Sequence, residues 1–399
     1  MSSKKKSRKS TKKSSKLKIY EDKDYKFKYK EIEYKNKTNP YLEILRYHKW
    51  NKVIDESVDI LKENKITLKS SKKSLRQIVS DNLSMWISIN IMKKNKLDDP
   101  IIPYNAKSND VFIKTLVYLG KIDIKKSKDI FKQMDIVKKC NKIVKEIGKE
   151  NNKKYKNVFF SKNKLIYKSD DVTKKIPCAH KLYHHLKKRY IKKITSKEDK
   201  ISFHNKIFCL LLRYKTLMGN SHQFAMNTDF KDALRKQYNI NMECFASSIN
   251  VHYDKYCSMF YDIEKDFGSY GNFYLIKYIK GFYIANPPYE NYMLELMVQK
   301  FIDSCKESKE PLSISFGMPN WGKYDKFTAM EILEKSKYLR FKRCMKDGEV
   351  YWFDRLNNIR ITIPSHCRCV VQNELGTKEH DIRKFNGLIN KHWVKKKKK

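Results

Sequence analysis

The chain has no apolar run approaching the roughly 18–20 residues that a membrane-spanning helix needs, so a transmembrane protein is not expected. Its nine cysteines form no paired C-x-x-C pattern. The one close cluster, Cys367-x-Cys369 beside His366, has no second ligand pair, so no metal centre is expected. An odd cysteine count without a signal peptide points to reduced thiols and a soluble, intracellular protein, in nucleus or cytoplasm. No internal repeat is present. Acidic residues are scarce as well, 44 against 88 basic ones.

That deficit leaves a formal net charge of +44. Nine of the positive charges lie in residues 1–18 and five in Lys395 to Lys399. A surplus of about thirty therefore stays on the body, which attracts a polyanion by releasing its counterions. Nucleic acid is the expected partner, although an A+T-rich genome would also write many Lys, Asn, Ile and Tyr codons. Residues 1–18 hold a single apolar residue beyond Met1, and cannot join a core. They read as a basic tail (a nuclear address, an RNA-binding arm or a solvated end), and residues 381–399 end in a second one.

With 399 residues and 40% hydrophobic content there is room for two domains and a sizeable core. Between about 38 and 195 the apolar spacing is mainly helical: Tyr41-Leu42, Leu45, Val53-Ile54, Val58 and Leu61, then Ile78-Val79, Leu83, Trp86-Ile87 and Ile91. Ser80 or Asp81 could start a helix here, and Gly120 could stop one. Trp50 and Trp86 read as core residues. From about 200 the texture becomes strand–helix–strand. Strands are expected from Ile240 to Ser247, over Gly281 to Ala285 and over Pro311 to Phe316, with helices from Ile207, from Val251 to Met259, and from Tyr292 to Cys305. The pattern predicts an α/β fold with a doubly wound parallel sheet, whose ligands bind beyond the carboxyl ends of the strands. The expected division is a helical, basic RNA-binding domain over 19–200 and a sheet domain over 201–380.

Asn286-Pro287-Pro288-Tyr289 follows one of those strands directly. Such a turn suits methylation of a planar nitrogen, whose lone pair is delocalised and poorly nucleophilic. The Asn286 amide oxygen and the next main-chain carbonyl can each accept one N–H, drawing the amine towards tetrahedral geometry. The two prolines fix φ and donate no N–H, while the Tyr289 ring offers a face for a flat base. Some 40 residues earlier, Phe245-Ala246-Ser247 ends another strand and could line the methionine part of S-adenosylmethionine, without any glycine-rich loop. Asn250 belongs to the same turn. Asp262 is chosen over Glu264 and Asp266 as the acid for the ribose hydroxyls. Arg213 could meet a phosphate or pair with an acid. Trp321 could stack on a base or pack under a loop.

Residues 210–321 resemble the phosphorylated-CTD-interacting factor family. The resemblance is carried by LLLRYKTLMG at 210–219, ECFASSINVHYDKYCSMFYD at 243–262, FGSYG at 267–271, ANPPY at 285–289 and PLSISFGMPNW at 311–321. It implies a Rossmann-like class I methyltransferase sheet with an N-terminal helical domain, and capped mRNA held between the two. The implied activity is S-adenosylmethionine-dependent N6-methylation of 2′-O-methyladenosine beside the cap. DNA, internal RNA or ribosomal RNA remain alternative substrates, and an inactive RNA-binding subunit is a third reading. Three positions depart from the family pattern. Ser248 replaces a proline, which would loosen the cofactor turn; Asn320 replaces an acid; Tyr289 replaces a phenylalanine. A WW module needs two tryptophans roughly 20 residues apart, and those at 50, 86, 321, 352 and 393 are not so spaced. No WW-mediated contact with the polymerase tail is expected.

Overall fold

The computed structural model describes residues 17–66, 74–106, 110–192, 194–217, 223–320, 328–355 and 359–394. The chain is a mixed α/β protein in which helices dominate the first half and a multi-stranded sheet the second.

Helix α1 (Pro40–Glu63) starts where Asn39 accepts the Leu42 N–H at 2.9 Å and Pro40 supplies a helical φ at no cost in donors. Helix α2 (Leu75–Ile91) begins six or seven residues earlier than Ser80 and Asp81 suggest, because Ser74 caps it by accepting from Gln77 N–H. Helix α3 (Asp110–Gly120) ends at the expected glycine. Trp50 and Trp86 lie in the core of this helical layer, as their apolar spacing predicts. The helical reading fails between 159 and 177, where three short antiparallel strands form instead. Lys162 and Asn163 both take positive φ, the geometry of a two-residue hairpin, and neither residue advertises it strongly.

The layers meet along helix α4 (Lys197–Leu217), which packs on α1 and is buried along most of its second half.

The sheet begins with a hairpin, β1 (Lys18–Glu21) and β2 (Lys26–Tyr29), that lies far from its partners in sequence. It continues with β3 (Met242–Glu243), β4 (Lys255–Tyr256), β5 (Lys277–Ala285), β6 (Leu312–Pro319), β7 (Leu339–Met345) and β8 (His366–Gln372). The order is β4-β3-β5-β6-β8-β7. Strands β3 to β6 run parallel, whereas β8 is antiparallel to both β6 and β7. Strand β2 pairs antiparallel with the first half of β5, on the edge that β3 takes at Ile284. Residues 18–29 thus join the sheet, correcting their expected place with the helical layer. The stretch from Val251 to Met259 is not a helix: it carries β4.

Alternation along β5 sends Tyr283 and Ala285 to one apolar cluster and Phe282 and Ile284 to another, so both faces of the sheet are covered. Helix α5 (Asn291–Glu307) covers the first face through Leu294, Met297, Val298 and Phe301. Gly281 is required where the hairpin crosses. Its φ is +120°, and a Cβ there would lie 2.7 Å from Tyr25 Cδ1 and 2.9 Å from the Asp24 carbonyl oxygen. No helix among the described residues is long and apolar enough to cross a membrane.

Candidate active site

A cavity of about 940 Å³ opens at the carboxyl ends of β3, β4 and β5. Phe245, Ala246, Ser247 and Asn250 line it together with Asn286, Pro287, Pro288 and Tyr289, so the two turns singled out in the sequence share one pocket. Its far wall comes from the helical layer: Asn82, Met85 and Ser88 of α2, and Lys114, Thr115 and Tyr118 of α3. The volume exceeds what one small cofactor fills, which leaves space for a nucleotide.

The Asn286 side chain is held from behind by Arg368, in the middle of β8. Arg368 Nη1 donates to Asn286 Oδ1 at 2.7 Å, while its Nε and Nη2 donate to Ser315 Oγ at 2.8 Å and the Ser315 carbonyl at 3.0 Å. The guanidinium is fully buried, and among the described residues no carboxylate pairs with it. Burial lowers it to about 10, which leaves it charged at neutral pH. In the turn itself, the Pro288 carbonyl accepts Glu290 N–H at 3.0 Å. Among the described residues no hydrogen bond ends on the Pro287 carbonyl, so it stays available. The Tyr289 hydroxyl is buried without a partner, and burial pushes its pKa up, keeping it neutral.

The Phe245 turn is equally fixed. Ser247 N–H donates to Asn250 Oδ1 at 2.8 Å, and Ser247 Oγ donates to the buried Gln223 at 2.8 Å. Ser248 does not loosen the turn. Its N–H donates to Glu264 Oε1 at 2.7 Å, a bond that proline could not make, and its Oγ meets the Tyr256 hydroxyl at 2.8 Å. Glu264 also accepts from the Tyr214 hydroxyl at 3.0 Å, yet burial dominates and raises its carboxyl to about 7. The Phe245 ring packs on Phe273, with centroids 4.4 Å apart. Among the described residues, four buried polar atoms in or beside the pocket lack partners: Gln223 Nε2, the Tyr289 hydroxyl, Asn291 Oδ1 and Trp352 Nε1. Such atoms are costly unless a ligand or water meets them.

Two predicted site residues lie elsewhere. Asp262 accepts from Arg213 Nη1 at 2.6 Å and from Thr38 Oγ1 at 2.5 Å; it does not line the cavity. Arg213 is fully buried and also donates to Glu43 at 3.0 and 2.9 Å, so it meets acids and no phosphate. The acid that holds the Phe245 turn is Glu264, two residues on. Trp321 lies outside the described residues. Asn320 bonds Ser365, its N–H to the carbonyl at 3.1 Å and its Nδ2 to Oγ at 3.0 Å.

Cys344 and Cys367 are paired across β7 and β8, correcting the expectation of reduced thiols throughout; the other seven cysteines are free and buried. Among the described residues no group of three or more His, Cys, Asp or Glu gathers as a metal site. Sequence reasoning does not reach Arg368, which lies beyond the stretch that carries the family resemblance, residues 210–321. The available signal was a lone arginine inside HCRCVVQ, a strand that is buried on both faces.

Residues 180–355 match the family described as the Phosphorylated CTD interacting factor 1 WW domain. Two similar proteins carry the name mRNA (2′-O-methyladenosine-N(6)-)-methyltransferase. The human one is 31% identical and the mouse one 30% identical, each over 141 residues. These matches cover 34% of this chain and 20% of either relative, so the chain spans about a fifth of their length. The family match carries the WW domain in its description, which overturns the expectation, drawn from tryptophan spacing, that no such module is represented. Spacing was a poor criterion over a match 176 residues long, whose tryptophans are Trp321 and Trp352.

Proposed function

We propose that this chain is an S-adenosylmethionine-dependent RNA methyltransferase that modifies the N6 amine of adenosine, at the 2′-O-methyladenosine next to the mRNA cap. The observation that carries the reading is the meeting of the Asn286 turn and the Phe245 turn in one cavity. The strand order β4-β3-β5-β6-β8-β7, in which only β8 is reversed, supports reading the sheet as a Rossmann-like class I methyltransferase sheet. The relatives' name supports the cap-adjacent substrate. The residues present suit the cofactor: small side chains at Ala246 and Ser247 let it approach the backbone, and Gln223 Nε2 and Asn291 Oδ1 offer unpaired polar atoms. When bound, S-adenosylmethionine supplies an electrophilic methyl group.

The chain's own residues prepare the acceptor. Asn286 Oδ1 takes one N–H of the adenine amine and the Pro287 carbonyl takes the other. Both acceptors are held rigidly before the reaction starts, so no reorganisation is needed at the moment of transfer. Tyr289 stacks on the adenine, edge-on to Trp352 at 6.5 Å. Helices α2 and α3 close the pocket opposite, and the basic surface draws RNA between the layers.

Radiolabelled methyl transfer to capped and uncapped RNAs beginning with 2′-O-methyladenosine, followed by nucleoside analysis, tests this reading. Labelled N6,2′-O-dimethyladenosine from capped RNA alone is expected. Equal labelling of both RNAs would sink cap dependence, and labelling of DNA or internal adenosine would move the substrate. No labelling would leave an RNA-binding subunit.

A further inference from the structure

Arg368 is out of place on stability grounds. A guanidinium taken wholly out of water costs several kcal/mol unless a carboxylate and good hydrogen bonds offset it. Its partners are all neutral: Asn286 Oδ1, Ser315 Oγ and carbonyl, the Ala285 carbonyl at 3.4 Å and Met226 Sδ at 3.5 Å. Compare the chain's other fully buried arginines: Arg213 sits between Glu43 and Asp262, and Arg46 between Glu43 and Asp99. Arg368 alone of these three puts its charge against the side chain of the amine-binding turn.

The two ends of an asparagine amide are nearly the same size but opposite in hydrogen bonding. If Asn286 were rotated by half a turn, its NH2 group would face Arg368 Nη1 donor to donor. Both groups would then be stranded in a dry site, at the full desolvation cost of each. The substrate amine would also meet a donor instead of an acceptor. Ser315, opposite Ile284 in the β5–β6 ladder, holds the guanidinium through two of its nitrogens and leaves the third for the amide. Gly317 lies against the same groups. A Cβ at Gly317 would sit 3.4 Å from Asn286 Oδ1, 3.4 Å from the Tyr289 hydroxyl and 3.5 Å from Arg368 Nη1.

We infer that Arg368 is a positioning residue for methyl transfer: it locks the Asn286 amide with its oxygen as acceptor, at the expense of stability. This rests on the reading of Asn286 as the amine acceptor. Arg368 touches no substrate. Its role is to populate the one amide orientation that can draw on the amine.

The test uses the full chain with capped RNA and compares wild type, Arg368→Met and Arg368→Lys. Three quantities are read: single-turnover methyl transfer, the dissociation constant for S-adenosylmethionine, and the melting temperature. Arg368→Met should lower transfer by about 100-fold. Its cofactor affinity should stay within about threefold and its melting temperature should be unchanged or higher, because an unpaired buried charge is gone. Arg368→Lys should recover part of the rate, since an ammonium can still donate to Oδ1 but cannot also span Ser315. Transfer by both variants within about threefold of wild type would overturn the inference and leave the methyltransferase reading intact. A melting temperature and rate that fall in step in both variants would assign Arg368 an ordinary structural role and overturn it too. An inactive wild type would remove the reading and the inference together.

Discussion

Arg213 and Asp262 form a buried ion pair, Nη1 to Oδ1 at 2.6 Å, that ties helix α4 to the short helix Tyr261–Glu264 after β4. Glu43 and Thr38 complete it from the helical layer. The pair therefore joins the two layers that enclose the cavity, although neither residue lines it. Asp262→Ala should cost about 1–3 kcal/mol, because Arg213 Nη1 and Thr38 Oγ1 lose their acceptor while Glu43 still pairs with the guanidinium. Denaturant unfolding measures that loss. Below the melting transition, cofactor affinity should be nearly unchanged; a selective loss of cofactor binding would return Asp262 to the ribose.

Replacing Asn286 tests the chemistry most directly. Asn286→Ala should lower methyl transfer by on the order of 10²–10³, the scale of losing one preorganised polar contact to the reacting group. RNA affinity, measured by filter binding, should barely change, since it draws on the basic surface. Retained turnover would remove the amine-binding role from this turn.

The Glu264 carboxyl gives a pH signature. Its folded pKa of about 7 lies above the ordinary value of 4.5, so the native state prefers the neutral acid. The associated stability is complete below pH 4.5 and is lost as the pH rises through 7, by at most about 3 kcal/mol. His185 works in the opposite sense. Burial lowers it to about 4, so its contribution is complete above pH 6.5 and lost as the pH falls towards 4. Both groups hold Ser248, one through its N–H and the other through its carbonyl. The two slopes oppose each other below pH 6.5, so the difference in melting temperature between wild type and Glu264→Gln isolates the carboxyl: wild type should lose ground to the variant from pH 5 to 8.

RNA affinity should be strongly salt-dependent. For several phosphate contacts, a fall on the order of 10³ between 50 and 200 mM salt is expected. A flat salt response would show that the charge surplus is compositional.

Much of the site was legible because its chemistry is local. Asn286 to Tyr289 and Phe245 to Asn250 are contiguous turns at strand ends, where residue type and position carry the meaning. What escaped depended on distance in sequence. Whether Asp262 or Glu264 reaches the cofactor turn depends on which carboxylate Arg213 takes, and Arg213 is 49 residues from Asp262. Arg368 acts on a residue 82 positions away. The helix expected over Val251 to Met259 failed because its apolar side chains feed a short buried strand and two loops. In so brief a stretch, periodicity does not separate the two cases.

The β1–β2 hairpin places the start of the sheet at the start of the described chain. Tyr25 donates to the Phe282 carbonyl across 257 residues. A nascent chain therefore makes this hairpin long before its partner strand exists, and the whole helical layer is synthesised in between. Completion of the sheet has to await β5, so folding is governed by non-local closure. A fragment beginning near residue 201 would leave the first half of β5 with a bare edge, open to pairing with another copy.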